Sequence, residues 1–135
     1  MSLFRPQLWR IPTTGEAERR RLPELTATLE TRLKHIARRY PQAVFASSLA
    51  VEDMIITDAI CRLKLPLRII TLDTGKLNPE TAALITAVNV RYQTELEVFH
   101  PDPESARQFE QEFGATAMYD SVELRRRCCH IRKIE

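Results

Sequence analysis

The chain has 135 residues, of which 44% are hydrophobic, and a formal net charge of +2 at pH 7. These totals predict one globular domain with a core of ordinary size and exclude an intrinsically disordered chain. No apolar run approaches the roughly 18 residues of a membrane helix, and the stretch from Met1 to Arg10 lacks the apolar centre of a signal peptide. We therefore expect a cytoplasmic protein that does not bind a membrane.

The spacing of apolar residues changes near residue 22. Residues 1–22 have no clean hydrophobic period, and we interpret them as an N-terminal arm or short helix that precedes a domain of residues 23–135. Apolar residues then recur at spacings of three and four from Leu25 to Tyr40, which predicts a helix that Pro41 ends.

The rest of the chain alternates between predicted strands and helices. In chain order these are a strand at 43–46, a helix from about 51, a strand at 67–72, a helix at 79–90, a strand at 95–99, a helix at 103–113 and a basic helix at 121–135. This alternation predicts an α/β fold, a three-layer sandwich with a parallel sheet. Ligands of such sheets bind beyond the carboxyl ends of the strands, so the turns after the first two strands form the candidate site.

Polar residues occupy both of these turns. Ser47 and Ser48 lie between a buried strand and a helix N-terminus, where hydroxyls and free N–H groups suit an anion; the alternative is a simple helix cap. Asp73, Thr74 and Gly75 lie where a ribose or an adenine edge could be hydrogen bonded; the alternative is an ordinary turn. The residues of either turn alone do not distinguish ligand binding from a purely structural role as a cap or a turn.

Two adjacent cysteines mark the basic C-terminal segment. Cys128 and Cys129 point about 100° apart on a helix, so both reach one metal cluster only if the helix end is distorted. Neighbouring cationic residues favour the thiolate, and we interpret the segment as too basic to be core; the alternative is a chance pair in a core helix. An iron–sulfur cluster usually needs four protein ligands, and Cys61, on the apolar side of its helix, is expected to be an ordinary buried residue.

Arginine runs at 19–21 and 125–127 are the most basic stretches of the chain. Neither run is interleaved with aromatic residues, as a protein that binds single-stranded nucleic acid would require. We interpret both runs as solvated surfaces and expect no nucleic-acid partner.

Three motifs together resemble the family of adenylyl-sulfate (APS) and phosphoadenylyl-sulfate (PAPS) reductases. Residues 48–53, S-L-A-V-E-D, resemble the phosphate loop S-F-G-A-E-D, and residues 72–81, L-D-T-G-K-L-N-P-E-T, are similar to L-D-T-G-R-L-x-P-E-T. Residues 128–133, C-C-H-I-R-K, are similar to C-C-x-x-R-K. Because the tandem cysteine marks the iron–sulfur type, the resemblance is to the N-terminal portion of an APS reductase with a [4Fe–4S] cluster.

The resemblance implies an adenine nucleotide alpha hydrolase-like fold and a role for individual residues. Lys133 would meet the phosphosulfate, and Cys128 and Cys129 would be two of the four cluster ligands. The residues implied to bind the nucleotide, with the last in support of Lys133, are Ser47, Ser48, Leu72, Asp73, Thr74, Gly75 and Arg132.

The implied reaction is the thioredoxin-dependent reduction of adenylyl sulfate to sulfite and AMP in sulfate assimilation and cysteine biosynthesis. A cysteine thiolate attacks the sulfur, AMP leaves, and thioredoxin frees sulfite from the S-sulfocysteine. The family's second cysteine pair and its E-C-G-[IL]-H segment, which carries the nucleophile, do not occur in these 135 residues. We therefore expect the isolated chain to be inactive.

Two departures and several alternatives accompany the resemblance. Ala50 replaces a loop glycine, which could restrict the approach of backbone to phosphate, and Lys76 replaces an arginine, which removes a bidentate fork.

The alternatives are a PAPS reductase, which needs a site for a 3′-phosphate, and a non-catalytic remnant that binds adenine nucleotides. A PP-loop ATP pyrophosphatase would need S-G-G-x-D-S, which residues 48–53 do not supply. A homo-oligomer is left open.

Overall fold

The computed structural model describes residues 12–135. Its elements, in chain order, are α1 (Glu16–Arg39), β1 (Val44–Ser47), α2 (Val51–Arg62), β2 (Arg68–Leu72), α3 (Pro79–Tyr92), β3 (Glu97–Phe99), α4 (Pro103–Phe113), a 3₁₀ turn (Ala117–Tyr119) and α5 (Val122–Lys133). The three strands form one parallel sheet in the order β1-β2-β3. This arrangement confirms the predicted α/β class.

The sheet brings its carboxyl ends together along one edge. Ala46 of β1 pairs with Ile70 of β2, and Ile70 pairs with Glu97 of β3. Because all three strands run in the same direction, the residues after Ser47 and after Leu72 leave the sheet on the same side. The two turns that the sequence singled out are therefore neighbours.

The third strand is shorter than predicted and begins at Glu97. The N–H of Leu96 donates to the side-chain oxygen Oδ1 of Asn89 at 2.9 Å, within the turn after α3. Leu96 is buried in the core even though it lies before the strand. Burial of an apolar residue thus made residues 95 and 96 resemble a strand in sequence, whereas their backbone is irregular.

The first helix begins earlier than predicted. α1 starts at Glu16, so residues 16–22 are its first turns and not a separate arm, whereas residues 1–11 lie outside the described residues. Glu16 and Glu18 face the positive end of the helix dipole, and Glu16 also accepts a hydrogen bond from Arg20 at 2.8 Å. These turns are exposed and carry no apolar period. Neither α1 nor any other helix within residues 12–135 has the length and hydropathy of a membrane span.

The N-caps of α3 and α4 confirm the helix starts that the sequence predicts. The side chain of Asn78 accepts a hydrogen bond from the N–H of Thr81 at 2.7 Å, and that of Asp102 accepts one from the N–H of Ser105 at 2.9 Å. Each cap precedes a proline in the first turn of its helix. Gly114 ends α4, with φ of 97°.

One core cluster joins α1, α2 and α3 to the sheet. Its buried members are Leu33, Leu49, Ala59, Ile60, Ile69, Val88 and Leu96. Leu33 is the buried residue of α1, while Leu25, which was predicted on the same face, is 51% exposed. Burial in this cluster holds α2 and the first two strands in place behind the candidate site.

A second core cluster joins α4, the 3₁₀ turn and α5. Its buried members are Phe109, Ala117, Cys128 and Ile131. The prediction that the C-terminal segment is too basic to be core is wrong for this face, because Cys128 is only 5% exposed. Leu124, Cys128 and Ile131 form an apolar stripe at spacings of four and three, and the arginines occupy the other faces of α5.

Candidate functional site

A cavity of about 340 Å³ opens at the carboxyl ends of β1 and β2. It is bounded by the turn after each strand, the start of α3 and the end of α5. Its lining consists of Ala46, Ser47, Ser48, Leu49, Thr71, Leu72, Thr74, Leu77, Thr81 and Lys133. Half of these residues carry a hydroxyl group, three are leucines, and Lys133 supplies a cation. The cavity is therefore apolar on its walls, and the hydroxyls of Ser47, Thr74 and Thr81 can donate hydrogen bonds into it. Those of Ser48 and Thr71 already donate, to Asp53 and to the carbonyl of Ser47.

The structure brings together half of the residues implied to form the site. The implied residues that line the cavity are Ser47, Ser48, Leu72, Thr74 and Lys133. Asp73, Gly75 and Arg132 lie next to these lining residues but outside the lining. Cys128 and Cys129 lie on α5, one turn before Lys133.

The turn between β1 and α2 is held by its own side chains. The Oγ atom of Ser47 accepts a hydrogen bond from the N–H of Leu49 at 3.1 Å. The N–H and the Oγ of Ser48 both donate to Oδ2 of Asp53, at 2.6 and 2.7 Å. The backbone N–H of Ser48 and then its hydroxyl lower the pKa of the Asp53 carboxyl.

The backbone of this turn explains the alanine at the position of the family glycine. Ala50 has φ of −71° and ψ of 165°, an extended conformation that any residue adopts. The left-handed residue is instead Leu49, with φ of 65°, and its side chain is buried in the core. Ala50 is also the N-cap of α2 without a side-chain cap, so the first N–H groups of α2 are left for another acceptor.

The turn between β2 and α3 has a different construction. The N–H of Asp73 donates to the carbonyl of Phe99 on β3 at 2.9 Å, and Oδ1 of Asp73 accepts from the N–H of Gly75 at 2.9 Å. Thr74 is buried, and its Oγ1 accepts from the N–H of Lys76 at 3.3 Å. The carboxylate of Asp73 therefore shapes the turn, and its Oδ2 lies 4.0 Å from Nδ1 of His100.

Arg132 secures this turn from α5. Its side chain is 8% exposed, and its Nη1 donates to the carbonyl of Thr74 at 2.7 Å while its Nη2 donates to Oε1 of Glu110 at 2.7 Å. A Cβ atom at Gly75 would lie 3.2 Å from Nη1 of Arg132, and Gly75 has φ of 73°. Both the backbone conformation and the close guanidinium therefore require glycine.

Glu110 of α4 joins two cations, and the sequence analysis did not identify it. Oε1 of Glu110 accepts from Nζ of Lys76 at 2.9 Å as well as from Arg132. Lys76 and then Arg132 lower the pKa of the Glu110 carboxyl. Lys76 also donates to the carbonyl of Ala115 at 3.0 Å. Glu110 is one of several acidic residues on α4, so no spacing or motif distinguished it.

Lys133 is the last residue of α5 and lies between two cavities. Besides the first cavity it lines a second one of about 240 Å³, which it shares with Leu72, Phe99, His100 and Arg132. Since the guanidinium of Arg132 is occupied by Thr74 and Glu110, Lys133 is, among residues 12–135, the cation that remains exposed next to the first cavity.

The two adjacent cysteines occupy different environments. Cys128 is buried against α4, Cys129 is exposed, and α5 is regular through both. Among residues 12–135, no group of three or more His, Cys, Asp or Glu side chains is arranged to hold a metal ion. The described residues thus offer at most two ligands of a four-ligand cluster, and the regular α5 does not direct both thiols at one cluster. Cys61 is half-buried in a cavity with Leu67 at the opposite, amino end of β2, where burial raises the pKa of its thiol.

Residues 42–135 match the phosphoadenosine phosphosulfate reductase domain. The chain belongs to this family. Its fold is therefore of the adenine nucleotide alpha hydrolase-like type, as the resemblance implied.

Curated relatives named adenosine 5′-phosphosulfate reductase match most or all of the chain. One from Neisseria meningitidis is 45% identical over all of this chain and 56% of its own length. One from Burkholderia cepacia is 46% identical over 84% of this chain and 46% of its own length. One from Allochromatium vinosum is 43% identical over 86% of this chain and 48% of its own length. The chain thus spans about half the length of the curated relatives it matches.

Proposed function

We propose that this chain supplies the nucleotide site of a thioredoxin-dependent adenylyl-sulfate reductase. The observation that carries the proposal is the convergence of Ser47, Ser48, Thr74 and Lys133 on one cavity at the carboxyl ends of the strands. The apolar walls suit an adenosine, and the hydroxyls, together with the free N–H groups of α2, suit a phosphate. The names of the three relatives agree with this substrate class.

In the proposed reaction, a cysteine thiolate attacks the sulfur of adenylyl sulfate. A sulfur–sulfur bond forms, the bond between sulfur and the phosphate oxygen breaks, and AMP leaves with the electron pair. Lys133 stabilises the negative charge that develops on the departing phosphate, because its cationic side chain lines the cavity. Two electrons from thioredoxin then cleave the S-sulfocysteine and release sulfite, as part of sulfate assimilation and cysteine biosynthesis.

Adenylyl sulfate is the proposed substrate in preference to its 3′-phosphorylated form. A 3′-phosphate adds close to two negative charges, which need further cationic donors. Within the described part of the chain, Lys133 is the cation among the residues that line the cavity. PAPS reduction remains the second candidate, and it requires a cation from the second cavity to turn toward the ribose.

Cys128 and Cys129 would be two of the four ligands of a [4Fe–4S] cluster next to this site, and this requires the end of α5 to distort so that both thiolates face one side. The cluster would place fixed thiolates near Lys133, one turn away on α5. The two other ligands would come from outside the described residues. Three cysteines without a disulfide agree with the reducing cytoplasm as the location of such a site.

The cluster proposal is tested with a fusion of this chain to the part of the Neisseria meningitidis relative that lies outside the match. After anaerobic reconstitution, we expect the fusion to retain iron and sulfide, and Cys128→Ser and Cys129→Ser each to lose them. Cys61→Ser is the matched control and should retain the cluster. Retention of iron in both α5 variants would contradict the assignment.

We expect the 135-residue chain alone to bind the nucleotide without turnover. None of the three cysteines lines the cavity, and Cys61 is at the far end of the sheet. Calorimetry with AMP tests binding, with Lys133→Met as the variant and Lys34→Met on the exposed face of α1 as the control. Lys133→Met should weaken binding about tenfold, the size of a hydrogen bond to a charged group. Release of sulfite from adenylyl sulfate by the unfused chain with thioredoxin would overturn the expected inactivity.

A further inference from the structure

Three cationic side chains meet at the carboxyl edge of the sheet. Lys76 follows the β2–α3 turn, and Arg132 and Lys133 end α5. One carboxylate, that of Glu110 on α4, accepts from Lys76 at 2.9 Å and from Arg132 at 2.7 Å through the same oxygen atom. Lys133 has no such partner in the described part of the chain. Glu110 thus neutralises two of the three cations and leaves the third to face the cavity.

The contact of Glu110 with Arg132 reaches the cavity lining. Arg132 uses its two terminal nitrogens on different acceptors, one on Glu110 and one on the carbonyl of Thr74, 58 residues earlier in the chain. Thr74 lines the cavity, and Gly75 next to it has φ of 73°. A guanidinium is planar and rigid, so fixing one nitrogen on Glu110 fixes the position of the other on Thr74.

The same contact orients the end of α5. Arg132 immediately precedes Lys133 and is 8% exposed, whereas Lys133 is exposed. Holding Arg132 on the turn and on α4 therefore sets the direction in which the last turn of α5 presents Lys133. Lys76 adds a second connection, because it joins Glu110 to the loop after α4 through the carbonyl of Ala115.

We propose that Glu110 is a positioning residue of the nucleotide site, which holds Thr74 and Lys133 in place by clamping Arg132 and Lys76. This inference rests on the proposed nucleotide site. Glu110 itself does not line the cavity. Its effect on binding is expected to come from geometry and not from its charge.

Two substitutions separate geometry from charge. Glu110→Asp keeps the negative charge but shortens the side chain by one methylene, so the carboxylate cannot reach both cations. Glu110→Gln keeps the length but removes the charge. The matched control is Glu104→Gln, which removes the ion pair of Glu104 with Arg107 from the same helix, away from the β2–α3 turn.

The experiment is a two-dimensional NMR titration of the full chain with AMP and, in parallel, with uncharged adenosine. We expect both Glu110 variants to bind AMP and adenosine about tenfold more weakly than the unaltered chain, the size of a lost charge-assisted hydrogen bond. Glu104→Gln should bind both ligands as the unaltered chain does. Before any ligand is added, the Arg132 guanidinium signals and the Gly75 and Lys133 amide signals should already be shifted in the Glu110 variants.

Other outcomes would overturn the inference. If Glu110 acted only through its charge, Glu110→Gln would bind AMP more tightly, because two cations would be released, and Glu110→Asp would be unchanged. Unshifted signals of Arg132, Gly75 and Lys133 in the ligand-free variants would contradict positioning directly. If the unaltered chain binds neither AMP nor adenosine, the nucleotide site itself is wrong, and the ligand-free spectra still decide whether Glu110 holds the turn.

Discussion

The two turns that line the cavity are built in different ways. In the β1–α2 turn, the donors and acceptors lie within five residues of each other, from Ser48 to Asp53. In the β2–α3 turn, the carbonyl of Thr74 depends on Arg132, 58 residues away, and through it on Glu110. A local turn can form as soon as its helix forms, whereas the second turn, besides its local hydrogen bonds to Asp73 and Thr74, receives the bond from Arg132 only when α4 and α5 have packed. A substitution in the first turn should therefore change that turn alone. A substitution of Arg132 or Glu110 should change the second turn together with the packing of α4 and α5.

The largest effect is expected from Arg132→Ala. The carbonyl of Thr74 and the carboxylate of Glu110 would each lose a charged donor that is 8% exposed. We expect the free energy of unfolding in urea to fall by about 2–3 kcal/mol. Arg126→Ala, at an exposed position of the same helix, is the control and should change it by less than about 0.5 kcal/mol. Equal effects of the two substitutions would mean that the clamp on the second turn contributes nothing.

A smaller effect is expected from Gly75→Ala. Alanine would be strained at φ of 73°, and its Cβ would approach Nη1 of Arg132 to 3.2 Å. We expect a loss of about 2 kcal/mol in urea denaturation. Gly114→Ala has no atom within 4 Å of its Cβ, but at φ of 97° and ψ of 157° it occupies a different conformation that is essentially restricted to glycine, so its loss reports backbone strain alone. A smaller loss from Gly75→Ala when Arg132 is also replaced by alanine would isolate the contact with Arg132, and an equal loss in both backgrounds would show that only the backbone matters.

Asp53→Asn tests the local turn and is expected to cost about 1 kcal/mol or less, because the carboxylate is solvated on one side. The hydrogen bonds from Ser48 lower the folded-state pKa of Asp53. Its contribution is therefore present above about pH 4, the unfolded value, and is lost as the pH falls through the folded pKa. Urea unfolding as a function of pH should show this loss in the unaltered chain and a flatter profile in Asp53→Asn. Identical pH profiles of the unaltered chain and of Asp53→Asn would show that the Asp53 carboxylate does not stabilise the turn.

The smallest effect is expected from Ala50→Gly, which restores the glycine of the family motif. Ala50 has an extended backbone, so glycine relieves no strain there. Glycine is the better N-cap, but it loses more entropy on folding, and the two terms are each below about 1 kcal/mol. We expect the stability to change by less than about 0.5 kcal/mol and the affinity for AMP by less than about twofold. A large gain in affinity would show that the methyl group of Ala50 blocks the phosphate.

The order of the elements could be predicted because their signals are local. Caps such as Asn78 and Asp102 act within one helical turn, and the apolar run before Ser47 indicates a strand without knowledge of its partners. The prediction that this strand is buried is wrong, because β1 lies at the edge of the three-stranded sheet and Val44 is 42% exposed. The start of α1 was placed too late because its first turns, from Glu16, touch nothing apolar and therefore carry no period. The apolar spacing of Leu124, Cys128 and Ile131 on α5 is present in the sequence. The many arginines of the segment nevertheless led to the prediction that it lies outside the core.

The sequence by itself determined the α/β fold, the family and the two turns that line the cavity. These follow from patterns within a few residues, such as the spacing of apolar residues, the caps and the motifs at 48–53 and 72–81. Only the tertiary structure decided that Arg132 faces Thr74, that Glu110 clamps it, and that Lys133 remains for the cavity. The physical reason is that an ion pair between distant residues is not reflected in the residues that lie next to either partner in the sequence. Its partners are chosen when α4 and α5 pack, among many charged side chains that look alike along the chain.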